Sequence, residues 1–226
     1  VRAAAIDPAA ALRDTEEVFC RYETIHEKSM AAQMREAAPR ALHSREDITQ
    51  NYRQRYRNLA ANEVRLSRMG PSDRVLFVGS GPLPITAIEY VLQSGCTVTC
   101  IDHFEEPVRI STEIIQHLGL AGRFRILQGR GQDFPVAGYG VILVGVLAEP
   151  KARILAHVDQ SADPGCRLLC RTTTGDRSGG MATPAPILAQ TPRRRRAWSC
   201  RHVRRVVRLP PPPSANRRIG LYARAL

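Results

Sequence analysis

At 226 residues with 43% hydrophobic content, the chain can bury a full core, and its composition is that of a folded water-soluble protein. No apolar run approaches the roughly 18 residues that span a membrane, the longest being Val141 to Ala148, and residues 1–11 lack a signal-peptide pattern, so a cytoplasmic protein without a membrane partner is expected. The formal charge of +12 is confined to the tail: no carboxylate follows Asp176, while residues 177–226 hold twelve arginines and residues 1–176 are formally neutral.

Residues 11–38 place Val18, Tyr22 and Ile25 on one face at helical spacing, and Pro39 closes the run. A second helix is expected after Ser44, with Ile48, Tyr52, Tyr56, Leu59, Glu63 and Leu66 along one stripe and an end at Gly70-Pro71. Residues 1–69 are therefore read as a helical lid domain, and residues 70–226 as a second domain with an irregular Arg/Pro-rich end.

From Arg74 the pattern alternates. Short apolar runs at Val75–Val78, Thr97–Ile101, Arg123–Leu127, Val141–Val144 and Arg167–Arg171 read as strands. Helical stretches fall at Pro84–Gln93, up to Leu118, and at Glu149–Asp159. This alternation predicts an α/β fold, a Rossmann-like doubly wound parallel sheet whose ligands bind at the carboxyl ends of the strands. Residues 178–197, rich in Gly, Pro, Ala and Arg, read as loop or disorder, and Val203–Arg208 with Ile219–Ala223 as a final antiparallel pair. Cys96 and Cys100 flank one strand-like run, Cys166 and Cys170 another, and no Cys-x-x-Cys occurs; the six cysteines are read as free thiols, with no metal site.

The chemistry-bearing residues begin at Gly79-Ser80-Gly81-Pro82, where a strand enters a glycine turn and a helix leaves it. Glycines let backbone approach a ligand, and the helix start offers free amides. Asp102 ends the second strand about twenty residues later, with His103 beside it; a carboxylate there accepts hydrogen bonds from both hydroxyls of a ribose, or else caps a helix. The turn Gly129-Arg130-Gly131-Gln132-Asp133 after the third strand is where adenine rests in this architecture, and Gln132 or Asp133 is positioned to read its exocyclic amine.

On these residues the chain resembles the nicotianamine synthases and their archaeal and bacterial relatives. Phe77-Val78-Gly79-Ser80-Gly81-Pro82-Leu83-Pro84 looks like the signature loop of that family. Val144–Lys151 (VGVLAEPK), Pro164-Gly165 and Arg171-Thr172-Thr173-Thr174-Gly175 match a second block, and Tyr52…Tyr56…Glu63 is similar to its aromatic helix. The likeness covers about residues 45–176, and Asp176–Arg196 departs from the family pattern.

The resemblance implies a class I fold that binds S-adenosylmethionine (SAM) as a substrate and needs no metal. The γ-carbon of SAM's 3-amino-3-carboxypropyl arm is attacked by an amine, and methylthioadenosine (MTA) leaves. Gly79, Ser80, Gly81, Pro82, Asp102, His103, Gly131, Gln132, Leu147 and Ala148 are the implied SAM contacts. Glu63 is the implied base, with Tyr56; Tyr52, Arg171 and Thr173 are the implied substrate contacts. A glutamate of ordinary pKa, about 4.3, is a weak base for an amine, so burial is expected to raise it. Methyltransferases of this fold usually carry an acid two residues before the first glycine, fixing the amino-acid end of SAM; this chain has Phe77 there. The acceptor is an amino acid or other small amine, or the arm's own amine closing azetidine-2-carboxylate from SAM alone, and a homodimer is compatible with all of these. Two further readings are a conventional SAM-dependent methyltransferase and a nucleic-acid binder acting through the arginine tail. The latter is disfavoured, since only Trp198 accompanies Arg193 to Arg196.

Overall fold

The computed structural model describes residues 8–36, 50–173 and 184–190. Its centre is a six-stranded sheet made of β1 (Arg74–Val78), β2 (Thr97–Asp102), β3 (Phe124–Gln128), β4 (Val141–Val144), β5 (Arg167–Thr173) and β6 (Pro184–Gln190). The spatial order is β3-β2-β1-β4-β5-β6; the first five strands are parallel and β6 runs antiparallel to β5. Helices α1 (Pro8–Glu36) and α2 (Gln50–Ser67) precede the sheet, while α3 (Ile85–Ser94), α4 (Glu105–His117) and α5 (Lys151–Ser161) connect its strands.

Central parallel strands are covered on both faces and so read as unbroken apolar runs. The four residues of β4 are all buried, as are Val75–Val78 of β1. Alternation along β1 then splits the core in two. Val75 and Phe77 join Ile88, Tyr90, Ile110 and Ile114 of α3 and α4. Leu76 and Val78 meet Ile154 and Val158 of α5 on the other face. The passage from β3 to β4 has no helix; Val136 and Tyr139 cover that side instead.

Several expectations shift. Val18, Tyr22 and Ile25 were expected to form a packed face, yet they are 67%, 53% and 69% exposed. Among the described side chains, helix α1 meets the core further on, through Met30, Ala31 and Met34. There it is tied to α4 by Lys28–Glu106 and Arg35–Glu113, at 2.6 and 2.5 Å. On α2 the buried line is Ala60, Glu63 and Ser67, with Tyr56, Leu59 and Leu66 half-buried, so the expected stripe is rotated slightly around the helix.

The stretch 178–197, read as loop, contains β6. Its Pro184 and Pro186 lack amide donors, which confines such a strand to a sheet edge, and β6 lies outermost beside β5. Cys96, Cys100, Cys166 and Cys170 are buried free thiols, as expected. Among the described residues no helix is long and apolar enough to cross a membrane. The strand pair expected at Val203–Arg208 and Ile219–Ala223, the Ser44 cap and the arginine tail lie outside the described residues.

Candidate active site

A cavity of about 780 Å³ opens at the carboxyl ends of β1 to β4 and is roofed by α1 and α2. It lies where the chain order reverses between β1 and β4, the expected place for a ligand in an open α/β sheet. Its size suits a nucleotide-scale molecule, within the roughly 300–1,000 Å³ typical of ligand pockets.

The floor is backbone. Gly79 has φ +72° and Gly81 φ +67°, so the loop folds through the left-handed region that glycine enters without strain. The amides of Gly79 and Ser80 donate to the carbonyl of Ile101, at 2.9 and 3.2 Å, which locks the loop against β2. Gly145 donates to the Val78 carbonyl at 2.9 Å, and Lys151 Nζ donates to the carbonyls of Gly145 and Val146 at 2.7 and 2.9 Å. The lysine thus knots the turn after β4, and burial lowers its pKa.

Asp102 ends β2 in the cavity wall. Its Oδ2 accepts from the Gly81 amide at 3.1 Å and its Oδ1 from the Phe104 amide at 3.1 Å. The carboxylate therefore fixes the glycine loop and starts α4 while still facing the cavity.

The inner wall holds a buried ion pair. Arg171, on β5, donates through Nε to Glu63 Oε1 at 2.9 Å and through Nη2 to Glu63 Oε2 at 2.7 Å. Nη2 also donates to Thr86 Oγ1 at 3.1 Å, and the Tyr90 hydroxyl donates to Glu63 Oε2 at 2.6 Å. Burial pulls the Arg171 pKa down, but the Glu63 carboxylate more than offsets that and holds it above its ordinary value. Burial, reinforced by the Glu63 charge, pushes Tyr90 well above the phenol range. The guanidinium also stands 5.7 Å from the Phe77 ring centre, within cation–π reach. Phe77 thus contributes a face to Arg171 where an acid would compete with Glu63 for it.

All ten positions expected to touch SAM line the cavity: Gly79 to Pro82 from the first loop, Asp102 and His103 from β2, Gly131 and Gln132 after β3, and Leu147 and Ala148 after β4. Tyr56 and Arg171 line it too. Asp133, the alternative adenine reader, is exposed and outside the lining. Glu63 is not on the lining either: it is fully buried, one layer behind Arg171 and Thr86. The side chains of Tyr52 and Thr173 lie outside the described residues.

The nicotianamine synthase protein family model matches residues 48–183. The chain belongs to the nicotianamine synthase family. L-histidine 2-aminobutanoyltransferase of Yersinia pestis is 30% identical over 140 residues, 61% of this chain and 52% of that protein. The protein of the same name from Pseudomonas aeruginosa (strain UCBPP-PA14) is 29% identical over 103 residues, 45% and 39% of the two chains. Among solved structures, MtNAS in complex with MTA and tNA superposes with a TM-score of 0.62 at 26% identity, covering 70% of this chain and 59% of that one. A point mutant of MtNAS in complex with S-adenosylmethionine gives the same TM-score at 25% identity, with 70% and 60% covered. The chain spans about half the length of the first of these transferases.

Three residues at or behind this cavity escape sequence reasoning. Tyr90 sits in an apolar helix and reads as core; Lys151 was legible only as part of a matching block. Glu27 of α1 lines the cavity beside Gly81, although the stripe read on that helix lay elsewhere.

The glycines of the family's loop give a direct test. A Cβ on Gly145 would stand 2.7 Å from the Gly79 oxygen and 3.1 Å from the Val78 oxygen, both backbone atoms. Gly145→Ala is expected to cost about 1–3 kcal/mol of stability, the usual penalty of overpacking. SAM affinity should fall at least tenfold, as read by calorimetry. Unchanged affinity would mean that the two loops do not form the ligand floor together.

Proposed function

We propose that the chain is a SAM-dependent 3-amino-3-carboxypropyl transferase. An amine attacks the γ-carbon of SAM's arm, the new N–C bond forms as the C–S bond breaks, and MTA leaves as a neutral thioether. The observation that carries this reading is the buried Glu63–Arg171 pair in the inner wall of a nucleoside-sized cavity.

An amino acid is a zwitterion. Its carboxylate is a natural competitor for Arg171, since planar guanidinium donors suit carboxylates. Once Arg171 turns to that carboxylate, the Glu63 oxygens are released toward the ammonium. The exchange replaces one ion pair by two, and it hands the amine's proton to Glu63, as the attack requires. No general acid is needed, because the leaving group is neutral. Tyr56 supplies an aromatic face at the cavity wall, and Asp102 with the glycine loop supplies the ribose contacts.

The names of the relatives make L-histidine the first acceptor to test. Ring closure of the arm to azetidine-2-carboxylate uses the same carbon and the same leaving group. A conventional methyltransferase would share the fold, but it leaves the arm intact. The test is incubation with SAM alone and then with L-histidine and other amino acids, with products identified by mass spectrometry. MTA above the spontaneous background is the expected result, and S-adenosylhomocysteine (SAH) in its place would overturn the reading.

A further inference from the structure

Glu27 is a carboxylate that the mechanism above does not use. Helix α1 carries it over the glycine loop, with Oε2 2.5 Å from the point where a Cβ on Gly81 would stand. It therefore occupies the space that glycine leaves open above the cavity floor. Among the described residues no hydrogen bond or ion pair engages it, unlike Lys28 beside it, which is tied to Glu106.

Facing Glu27 are Glu23 on its own helix, Asp102 on β2 and Arg171 on β5. Tyr56 of α2, His103 after β2, Arg130 after β3 and Glu105 at the start of α4 line the same cavity. In the reading above Asp102 takes the ribose of SAM and Arg171 the carboxylate of the acceptor whose amine attacks the γ-carbon. SAM carries its sulfonium between the ribose and that carbon. Phe77 leaves β1 without a carboxylate there, and Glu27 of α1 is the acid that stands against the glycine loop itself, at Gly81.

We propose that Glu27 is the anionic contact for the sulfonium of SAM, so that the cavity distinguishes SAM from neutral thioethers by charge. This rests on the reading that SAM fills the cavity. Burial, then the charges of Glu23 and Asp102, raise the Glu27 pKa to about 8, against a smaller lowering by Arg171. At pH 7 the empty site thus holds a neutral carboxyl, and an arriving sulfonium favours its ionised form. Binding SAM therefore releases a proton from Glu27 to solvent. Breaking the C–S bond turns the sulfonium into a thioether, and Glu27 takes a proton back once the product amine has gone. The charge that draws SAM in is absent from MTA, which then leaves more readily.

The test is calorimetric titration of wild type and Glu27→Gln with SAM, SAH and MTA between pH 6.5 and 8.5. SAH keeps the arm's ammonium and lacks only the sulfonium charge and its methyl, which makes it the discriminating probe. In wild type, SAM affinity should rise roughly 20-fold across this range, as expected for release of one proton from a group of pKa about 8. SAH and MTA affinities should stay nearly flat. In Glu27→Gln, SAM should bind about tenfold more weakly at pH 7, with that pH dependence removed, while SAH and MTA change less than threefold and so report a folded site. Equal weakening of SAM and SAH, or an unchanged SAM profile in the variant, would overturn the assignment while leaving SAM in the cavity. Failure of wild type to bind any of the three would overturn the reading of the cavity itself.

Discussion

Glu63→Gln is expected to abolish MTA formation while leaving SAM bound. General-base catalysis typically contributes about 10²–10⁴-fold, so a loss of that size in kcat is the expected scale. SAM affinity should move less than threefold, because Gly79–Gly81 and Asp102, the proposed nucleoside contacts, lie on other elements of the cavity. Glutamine keeps the shape of the side chain but offers one acceptor oxygen where three donor bonds, two from Arg171 and one from Tyr90, now converge. A decline in activity alone would not separate a base from a residue that merely orients Arg171. The pH profile does. Without its base the enzyme depends on amine that is already deprotonated, so the residual rate should climb about tenfold per pH unit toward the pKa of the acceptor. A residual rate that is flat with pH would reduce Glu63 to positioning Arg171.

How far this site was legible depends on what encodes each part. The glycine loop, Asp102 and the turns after β3 and β4 were readable because their function lies in backbone conformation and in local order along the chain. Gly79 and Gly81 adopt positive φ, a local demand that only certain residues meet. The strand alternation then carries these turns to one edge of the sheet by a general rule of parallel folds. The Rossmann-like sheet followed for the same reason, down to five strands placed within a residue or two.

The parts that were not legible depend on contacts between distant segments. Glu27 looks like one charge among many on a helix; it enters the cavity only because α1 is held across α4 by Lys28–Glu106 and Arg35–Glu113, each spanning 78 residues. The exposed Val18, Tyr22 and Ile25 failed for the converse reason: a periodic stripe says that a helix has an apolar face, not what stands opposite it. Glu63 was named because its helix resembles the family's aromatic helix, but its partner Arg171 is 108 residues away. No local pattern joins the two. The edge strand β6 was hidden by its prolines, which argue against a central strand and are tolerated at the rim.

Arg171→Met is expected to be the most destabilising change at this site. Removing one member of a buried pair leaves the other as an uncompensated charge, at a cost of about 3–5 kcal/mol. For a domain of this size each kcal/mol shifts Tm by about 2–4 °C, so a fall of roughly 10 °C is expected at neutral pH. The triple variant Glu63→Leu, Tyr90→Phe, Arg171→Met separates stability from function. It removes the ion pair together with the Tyr90 hydroxyl that would otherwise lose its acceptor. Replacing a buried pair by packed apolar groups is often neutral or stabilising, so Tm should return to near the wild-type value. MTA formation should not return. A fold whose stability recovers while its chemistry stays lost keeps this pair for the zwitterion it receives. Recovery of activity together with Tm would instead make the pair a structural strut and move the chemistry elsewhere in the cavity.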